Sequence, residues 1–334
     1  MYEARLSGGG DWAKKQLKEI EPKYLTPAIA SLERSRAMKL DAPQYLEALI
    51  SFYQRDYDTA LKHAGDAFNE APWLYDALKL SGDIHLERAL QSRDGGHSEE
   101  AGREFAAAVR SFQEAAAIGQ SDAEVYEGLA ETWVRQIETA LLSGQPTEAA
   151  YTAAVASSDK ILAADPESIA GPLKKGYAAL MTMALLGSGR SSAERVEQCL
   201  SSVKAVLKKQ PENPYAVDVA AGCYAFSAEG ALAEGKDPEP LLRNALNLLE
   251  PGVLKNPHFL WGLNDLAIIY QSLGVNSQIH GNPGAREYLY KAREYDNRAL
   301  TLDYKYLNAQ QNLVDISAKL ILSVTTESEL QAEL

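Results

Sequence analysis

The 334-residue sequence predicts an all-α chain of stacked antiparallel helix pairs, and three observations carry that expectation. Ala, Leu, Glu and Lys are abundant, Gly and Pro fall mostly between apolar-periodic stretches, and runs of alternating Val, Ile and Thr are missing, which is a helical composition. One phrase recurs: an apolar helical stretch stops at a proline and a new one starts at once, as in LAADPESIAGPLKKGYAAL from Leu162, LKKQPENPYAVDVAAGCYAF from Leu207 and LKNPHFLWGLNDLAIIY from Leu254. The residues in the proline slot, Pro72, Gln120, Pro166, Pro211, Pro257 and Tyr304, are spaced by 48, 46, 45, 46 and 47 residues. So regular a period marks stacked supersecondary units, each of which buries its apolar face against its neighbours.

Taken in order, the chain opens with MYEARLSGGGDW, which lacks the apolar core of a signal peptide. SGGG at Ser7–Gly10 reads as linker, so residues 1–10 are expected to be linker or disordered, with Asp11 capping the first helix. Residues 11–323 are expected to form one solenoid of about six to seven helix pairs, and residues 324–334 a polar tail. Tyr45 to Pro72 is a compact first unit. In the units that follow, the stretches Ala123–Gly144 and Pro146–Asp165 read as long helices of about 18 to 22 residues. Turn chemistry separates the helices of a pair at DGG (Asp94–Gly96), SGQP (Ser143–Pro146), GSGRS (Gly187–Ser191), EGKDPEP (Glu234–Pro240) and HGNPG (His280–Gly284).

The text QRDYDTALKHAGDAFNEAP, ending at Pro72, resembles the second half of a tetratricopeptide repeat (TPR), with Tyr57, Ala60, Ala67 and Pro72 at the positions that open, line and close helix B. Later units supply the first half, a small residue at the helix crossing with an aromatic three residues on: Gly82 with His85, Ala130 with Trp133, Gly176, Ala221 with Tyr224, and Ala267 with Tyr270. The phased set covers residues 24 to 320. Small side chains let two helices approach closely and the aromatic fills the adjoining gap. The resemblance implies a right-handed superhelical solenoid. The period departs from the family's roughly 34 residues; eleven extra residues are about three helical turns, so both helices lengthen without turning the buried face away. EAPWLYDALKLSGDIHLERA, Glu70 to Ala89, also resembles helical repeat regions attached to bacterial serine/threonine kinases. That likeness implies a regulatory or recruiting arm of a signalling protein.

Charge and chemistry narrow the function. A net charge of −13 argues against a phosphate-tracking surface and hence against nucleic acid. No stretch approaches the roughly 20 apolar residues of a membrane span, so the expectation is a cytoplasmic protein without a membrane partner. Cys199 and Cys223 sit in apolar helical contexts without metal-like companions and read as buried reduced thiols. Asp94, His97, Glu99 and Glu100 in DGGHSEE match no metal spacing, and GSGRS lacks the strand and lysine of a nucleotide loop. His63, His85, His258 and His280 are scattered over different units, and the glycine-rich loop, His-Arg-Asp and Asp-Phe-Gly of a kinase are missing. The expected chain is non-catalytic and holds neither metal nor cofactor.

In the TPR family the concave face is lined mainly by helix A, and the phase puts two kinds of side chain there. Asp76, Lys79, Asp83 and Glu87, followed by Glu124, Glu127, Glu131 and Arg135, make an acidic half. Ala170, Leu173, Tyr177 and Met181, then Tyr215, Asp218 and Phe226, then Trp261, Asn264, Ile268 and Gln271, make an apolar and aromatic half. The expected partner is a protein or peptide segment with both basic and apolar residues, its cations toward Glu124, Glu127 and Glu131 and its apolar anchor on Tyr215 and Trp261. Lys79 is followed by Asp83 and Glu87, which disfavours the capture of a terminal carboxylate practised by chaperone-binding members. The competing reading is a small-molecule sensor or hydrolytic enzyme with Tyr177, Tyr215, Asp218 and Trp261 around a ligand.

Overall fold

A computed structural model describes residues 11–185, 193–282 and 284–323. The expected linker 1–10, the expected tail 324–334 and the GSGRS turn lie outside the described residues. Among the described residues there are fourteen helices and no strand: α1 Asp11–Ser35, α2 Pro43–Tyr53, α3 Tyr57–Glu70, α4 Tyr75–Asp94, α5 Ser98–Ile118, α6 Ala123–Ser143, α7 Glu148–Ala164, α8 Ala170–Leu185, α9 Ala193–Lys209, α10 Pro214–Ala233, α11 Glu239–Lys255, α12 Leu260–Ile279, α13 Ala285–Leu302 and α14 Leu307–Leu322. They fall into two compact units, one of residues 21–185 and one of residues 193–282 and 284–323 together with residues 11–20. These are called the N-terminal and C-terminal units below.

Each proline-slot residue precedes the start of an A helix by three residues, or by four at α8. Where the slot holds proline the preceding helix cannot extend through it, while Asn213 caps α10 by accepting from the Ala216 amide at 3.0 Å and Asp122 caps α6 by accepting from the Glu124 amide at 2.9 Å. After α6 the chain reverses at Gly144, whose φ of 64° is a left-handed conformation costly for any residue with a Cβ. The helices from α4 onward run 16 to 21 residues, somewhat shorter at the low end than the sequence implies. The first pair is shorter still, 11 and 14 residues.

In the N-terminal unit the successive A helices α2, α4, α6 and α8 pack on one another, and α2, α4 and α6 each pack on their own B helices. Ala60 and Ala67 of α3 and Ala130 of α6 are fully buried, as the repeat phase requires. Phe112 of α5 is a wedge between two A helices: a Cβ added at Gly82 would lie 2.8 Å from its ring, and one at Gly128 would lie 2.4 Å from it. The crossing role of Gly82 is legible in sequence, whereas Gly128 and its contact with Phe112 are not.

In the C-terminal unit α10 to α14 share one core, which contains fully buried Ala221, Ala267, Leu263, Leu266, Leu289 and Ile316. Its polar seam is Glu250 Oε1, which accepts from the hydroxyls of Tyr270 at 2.6 Å and Tyr295 at 3.1 Å, the two rings stacking with centroids 5.6 Å apart. Trp12 of α1 packs against this core and stacks on His258 at 4.1 Å. The expectation of two separate reduced thiols is corrected here: Cys199 of α9 and Cys223 of α10 are joined, their Cα atoms 6.4 Å apart. That separation is within disulfide reach. Packing of a B helix against the following A helix brings together positions 24 apart in sequence, a relation that cysteine spacing alone does not reveal.

Candidate functional site

The A-helix faces are polar in both units, but the charges are arranged in opposite ways. In the N-terminal unit the acidic groups are paired from helix to helix. Lys79 of α4 bridges to Glu124 of α6, and Lys174 of α8 bridges to Glu131 of α6. Arg135 holds Glu131 at 2.7 Å and Glu138 at 2.6 Å, Arg93 of α4 reaches Glu138 at 3.4 Å, and the Tyr177 hydroxyl donates to Glu138 at 2.9 Å. Burial by itself would raise Glu131, yet the Lys174 and Arg135 cations outweigh it and hold the carboxyl at about 2. Asp83 is different: burial pushes it up to about 6, with Lys79 opposing and Glu87 and Glu124 adding to the rise. Burial also raises Glu127, against the pull of Lys174.

In the C-terminal unit three aspartates, Asp218, Asp265 and Asp296, form no salt bridge among the described residues, although other carboxylates there do, such as Glu239 with Arg243 and Asp315 with Lys319. Asp218 of α10 and Asp265 of α12 stand on consecutive A helices, and the charge of Asp265 adds to the rise that burial causes at Asp218. Asp218 Oδ1 is buried and has no hydrogen-bond partner. Asp265 Oδ1 accepts from Asn264 Nδ2 at 3.2 Å, Asn264 Oδ1 accepts from Asn312 Nδ2 of α14 at 3.2 Å, and Asn312 Nδ2 also reaches Asp296 Oδ1 of α13 at 3.5 Å. Asp296 is completely buried, and its other oxygen, Oδ2, has no partner. Burial raises all three aspartates, Asp265 to about 6 and Asp296 to about 7. Tyr306, just before α14, is raised first by burial and then by the charges of Asp265, Asp218 and Asp296.

Two aromatic rings stand beside this network on the same A helices. Tyr215 precedes Asp218 by three residues and Trp261 precedes Asp265 by four, spacings that put each ring on the same helix face as its carboxylate. The rings lie 6.3 Å apart, and both contact the buried Phe259 ring. Trp261 retains 36% exposure, whereas Tyr215 is half-buried against the core.

Of the residues singled out in sequence, Asp76, Lys79, Asp83, Glu124, Glu127, Glu131, Arg135 and Tyr177 belong to the N-terminal unit, and Tyr215, Asp218, Trp261, Asn264 and Gln271 to the C-terminal unit. Lys79 and Glu124 are brought together, as are Glu131 and Arg135, and Tyr215, Trp261 and Asp218 share one face. Gln271 is buried and donates to Asp315 at 2.6 Å, away from the aspartate pair. Lys174, Asp265, Asn312, Asp296 and Tyr306 were not singled out. Lys174, Asp265 and Asn312 stand eight residues after their proline-slot residues, whereas Lys79, Glu127, Asp218 and Asn264 stand seven after theirs. Admitting both positions to the groove face would have found the three.

No known protein family and no curated protein matches the sequence. Among solved structures the chain is similar to a tetratricopeptide repeat protein from Parabacteroides merdae (14% identity, TM-score 0.48, covering 95% of this chain and 99% of that one). It is similar also to the C-terminal part of a TPR repeat-containing protein from Cytophaga hutchinsonii (15%, TM-score 0.47, covering 93% and 98%) and to a thermophilic TPR protein of Thermus thermophilus (16%, TM-score 0.41, covering 70% and 98%).

Proposed function

We propose that the protein is a non-catalytic scaffold that holds a protein or peptide segment along its A-helix faces. The observation that carries the reading is the exposed Trp261 beside Tyr215, on the same helices as Asp218 and Asp265, which form no salt bridge among the described residues. A rigid amphipathic ring at the centre of a polar face is a favoured anchor for a partner. The cross-helix ion pairs of the N-terminal unit fit the same purpose, because they hold successive A helices in register and present a fixed surface that costs little to order on binding. The sensor or hydrolase reading finds less support: two shallow hollows of about 410 Å³ lie on one face of α13 and around Gln210–Pro214, and neither is lined by an aromatic–carboxylate constellation of that kind.

The partner's basic portion is better matched by the C-terminal unit than by the acidic residues first expected to receive it. Glu124 and Glu131 already have cations of their own, and a second cation gains little from a neutralised carboxylate. The test is a selection of random twelve-residue peptides on the intact chain, repeated on Trp261→Ala. Selected peptides should lose at least about 2 kcal/mol of affinity on the variant, chiefly through faster dissociation, while the variant keeps its helical spectrum. Selection of no peptide, or of peptides indifferent to Trp261, would overturn the scaffold reading of this face.

A further inference from the structure

We infer that the face carrying Asp218 and Asp265, backed from beneath by the Asn264–Asn312–Asp296 network, is a receptor for an organic cation, an ammonium or guanidinium group, with Tyr215 and Trp261 as its aromatic wall. The inference rests on the scaffold reading for the source of that cation, a lysine or arginine side chain of the bound segment, but not for the chemistry of the site.

Three independent features converge. The first is uncompensated charge: Asp218 and Asp265 stand on the consecutive A helices α10 and α12 and neither forms a salt bridge among the described residues, in contrast to Glu124 and Glu131 of the N-terminal unit, each of which is held by a lysine. Carboxylates without counter-charges in a desolvated setting are costly, and an arriving cation relieves the cost. The second is unused hydrogen-bonding capacity. Asp218 Oδ1 and Asp296 Oδ2 are buried acceptors without donors, the latter on a residue with no exposed surface, and the amide chain through Asn312 and Asn264 ties Asp296 to Asp265. Buried acceptors are normally satisfied, and these two have no donor among the described residues. The third is the wall, since Tyr215 and Trp261 are 6.3 Å apart and a cation held over their faces gains from the ring quadrupoles while its carbon stem covers the apolar edges.

The donor set selects the kind of cation. Among the described residues no three His, Cys, Asp or Glu side chains converge closely enough to hold a metal ion. Two carboxylates, two amides and aromatic faces instead suit a group with several N–H donors and an apolar stem. Guanidinium fits best, because its planar fork can address Asp218 and Asp265 at once and stack on a ring.

Titration calorimetry on the full chain tests this with three probes: butylguanidinium, butylammonium, and the highest-affinity twelve-residue peptide from the selection above, the last also with each Lys and Arg changed to citrulline or norleucine. The comparison protein is the Asp218→Asn, Asp265→Asn double variant, in which isosteric neutral groups replace uncompensated charges and the fold should persist, as its helical spectrum will report. Binding of the peptide weakened at least tenfold both by neutralising its cation and by the double variant, with the two losses not adding, supports the receptor with a side chain as source. Binding of the free amines, weakened likewise, with no peptide selected, supports the receptor with a free amine as source and removes the scaffold reading. Peptide binding that survives both changes overturns the receptor and leaves the scaffold standing, and a lack of measurable binding by amines and peptides alike overturns it as well.

Discussion

Neutral pH should strain the C-terminal unit, and Asp296 allows the strain to be sized. Its carboxyl is completely buried, receives one long hydrogen bond from Asn312 and is pushed by burial from 3.8 to about 7. A group whose folded-state value lies above its unfolded value favours folding when protonated. Its contribution is therefore complete below about pH 4 and is lost as pH rises through about 7. With about 1.4 kcal/mol for each pH unit of displaced proton affinity, the free energy of unfolding should fall by about 3 kcal/mol between about pH 5 and about pH 8 from this residue alone. Asp265, raised to about 6, and Asp218 push in the same direction, while Asn264, Asn312 and Tyr306 complete the surroundings without adding a counter-charge. Asp296→Asn keeps the shape and the Asn312 contact but cannot ionise, so its stability advantage over the native chain should grow by about 3 kcal/mol across that interval. Urea unfolding followed by circular dichroism measures the total, and amide exchange in α12 to α14 assigns it to this unit. A native chain no less stable at the higher pH, or a variant whose advantage does not change with pH, would refute the reasoning.

Other substitutions probe the repeat phase and the ion pairs. Ala221→Leu and Ala267→Leu, both at fully buried crossings, should each destabilise by about 1 to 3 kcal/mol through overpacking, whereas Glu124→Leu, whose side chain is 74% exposed, should be close to neutral in denaturant melts; the reverse order would place the groove on the wrong face. Lys174→Met removes one of two cations from Glu131 and should cost about 1 to 2 kcal/mol, less than a fully orphaned buried charge because Arg135 remains; nuclear magnetic resonance titration should show the Glu131 carboxyl rising from about 2. The Cys199–Cys223 bond closes a chain segment with a separation of 24 residues, so reduction should lower stability by about 3 kcal/mol, seen as a lower melting temperature with reductant and none in the Cys199→Ser, Cys223→Ser double variant.

The parts of this fold that follow from local rules were legible in sequence. Period, proline slot and crossing residues each depend on neighbours within one repeat, which is why Ala60, Ala67, Ala130, Ala221 and Ala267 are buried where the phase put them. Relations between repeats were harder to read. That Lys174 reaches back to Glu131, that Cys199 meets Cys223 and that Asn312 reaches Asn264 all depend on how one helix pair is rotated against the next, and a one-residue shift in helix start, as at α8, moves a side chain by about 100° around the axis. The division of the site's charge was hidden for the same reason. A count of acids on helix A finds them in the first repeats, whereas Asp218, Asp265 and Asp296, which form no salt bridge among the described residues, stand in the last ones.

The wedge formed by Phe112 ties three positions into a single heritable unit. Because Gly82 and Gly128 are both pressed against one ring, neither can acquire a side chain while the ring stays, and the loss of the ring releases both at once. Descendants of this sequence should therefore change at these places in concert, a smaller residue at 112 accompanied by alanine or serine at 82 or 128. Such a correlated triplet, traced through related chains, would give the register of neighbouring repeats without any structure at all.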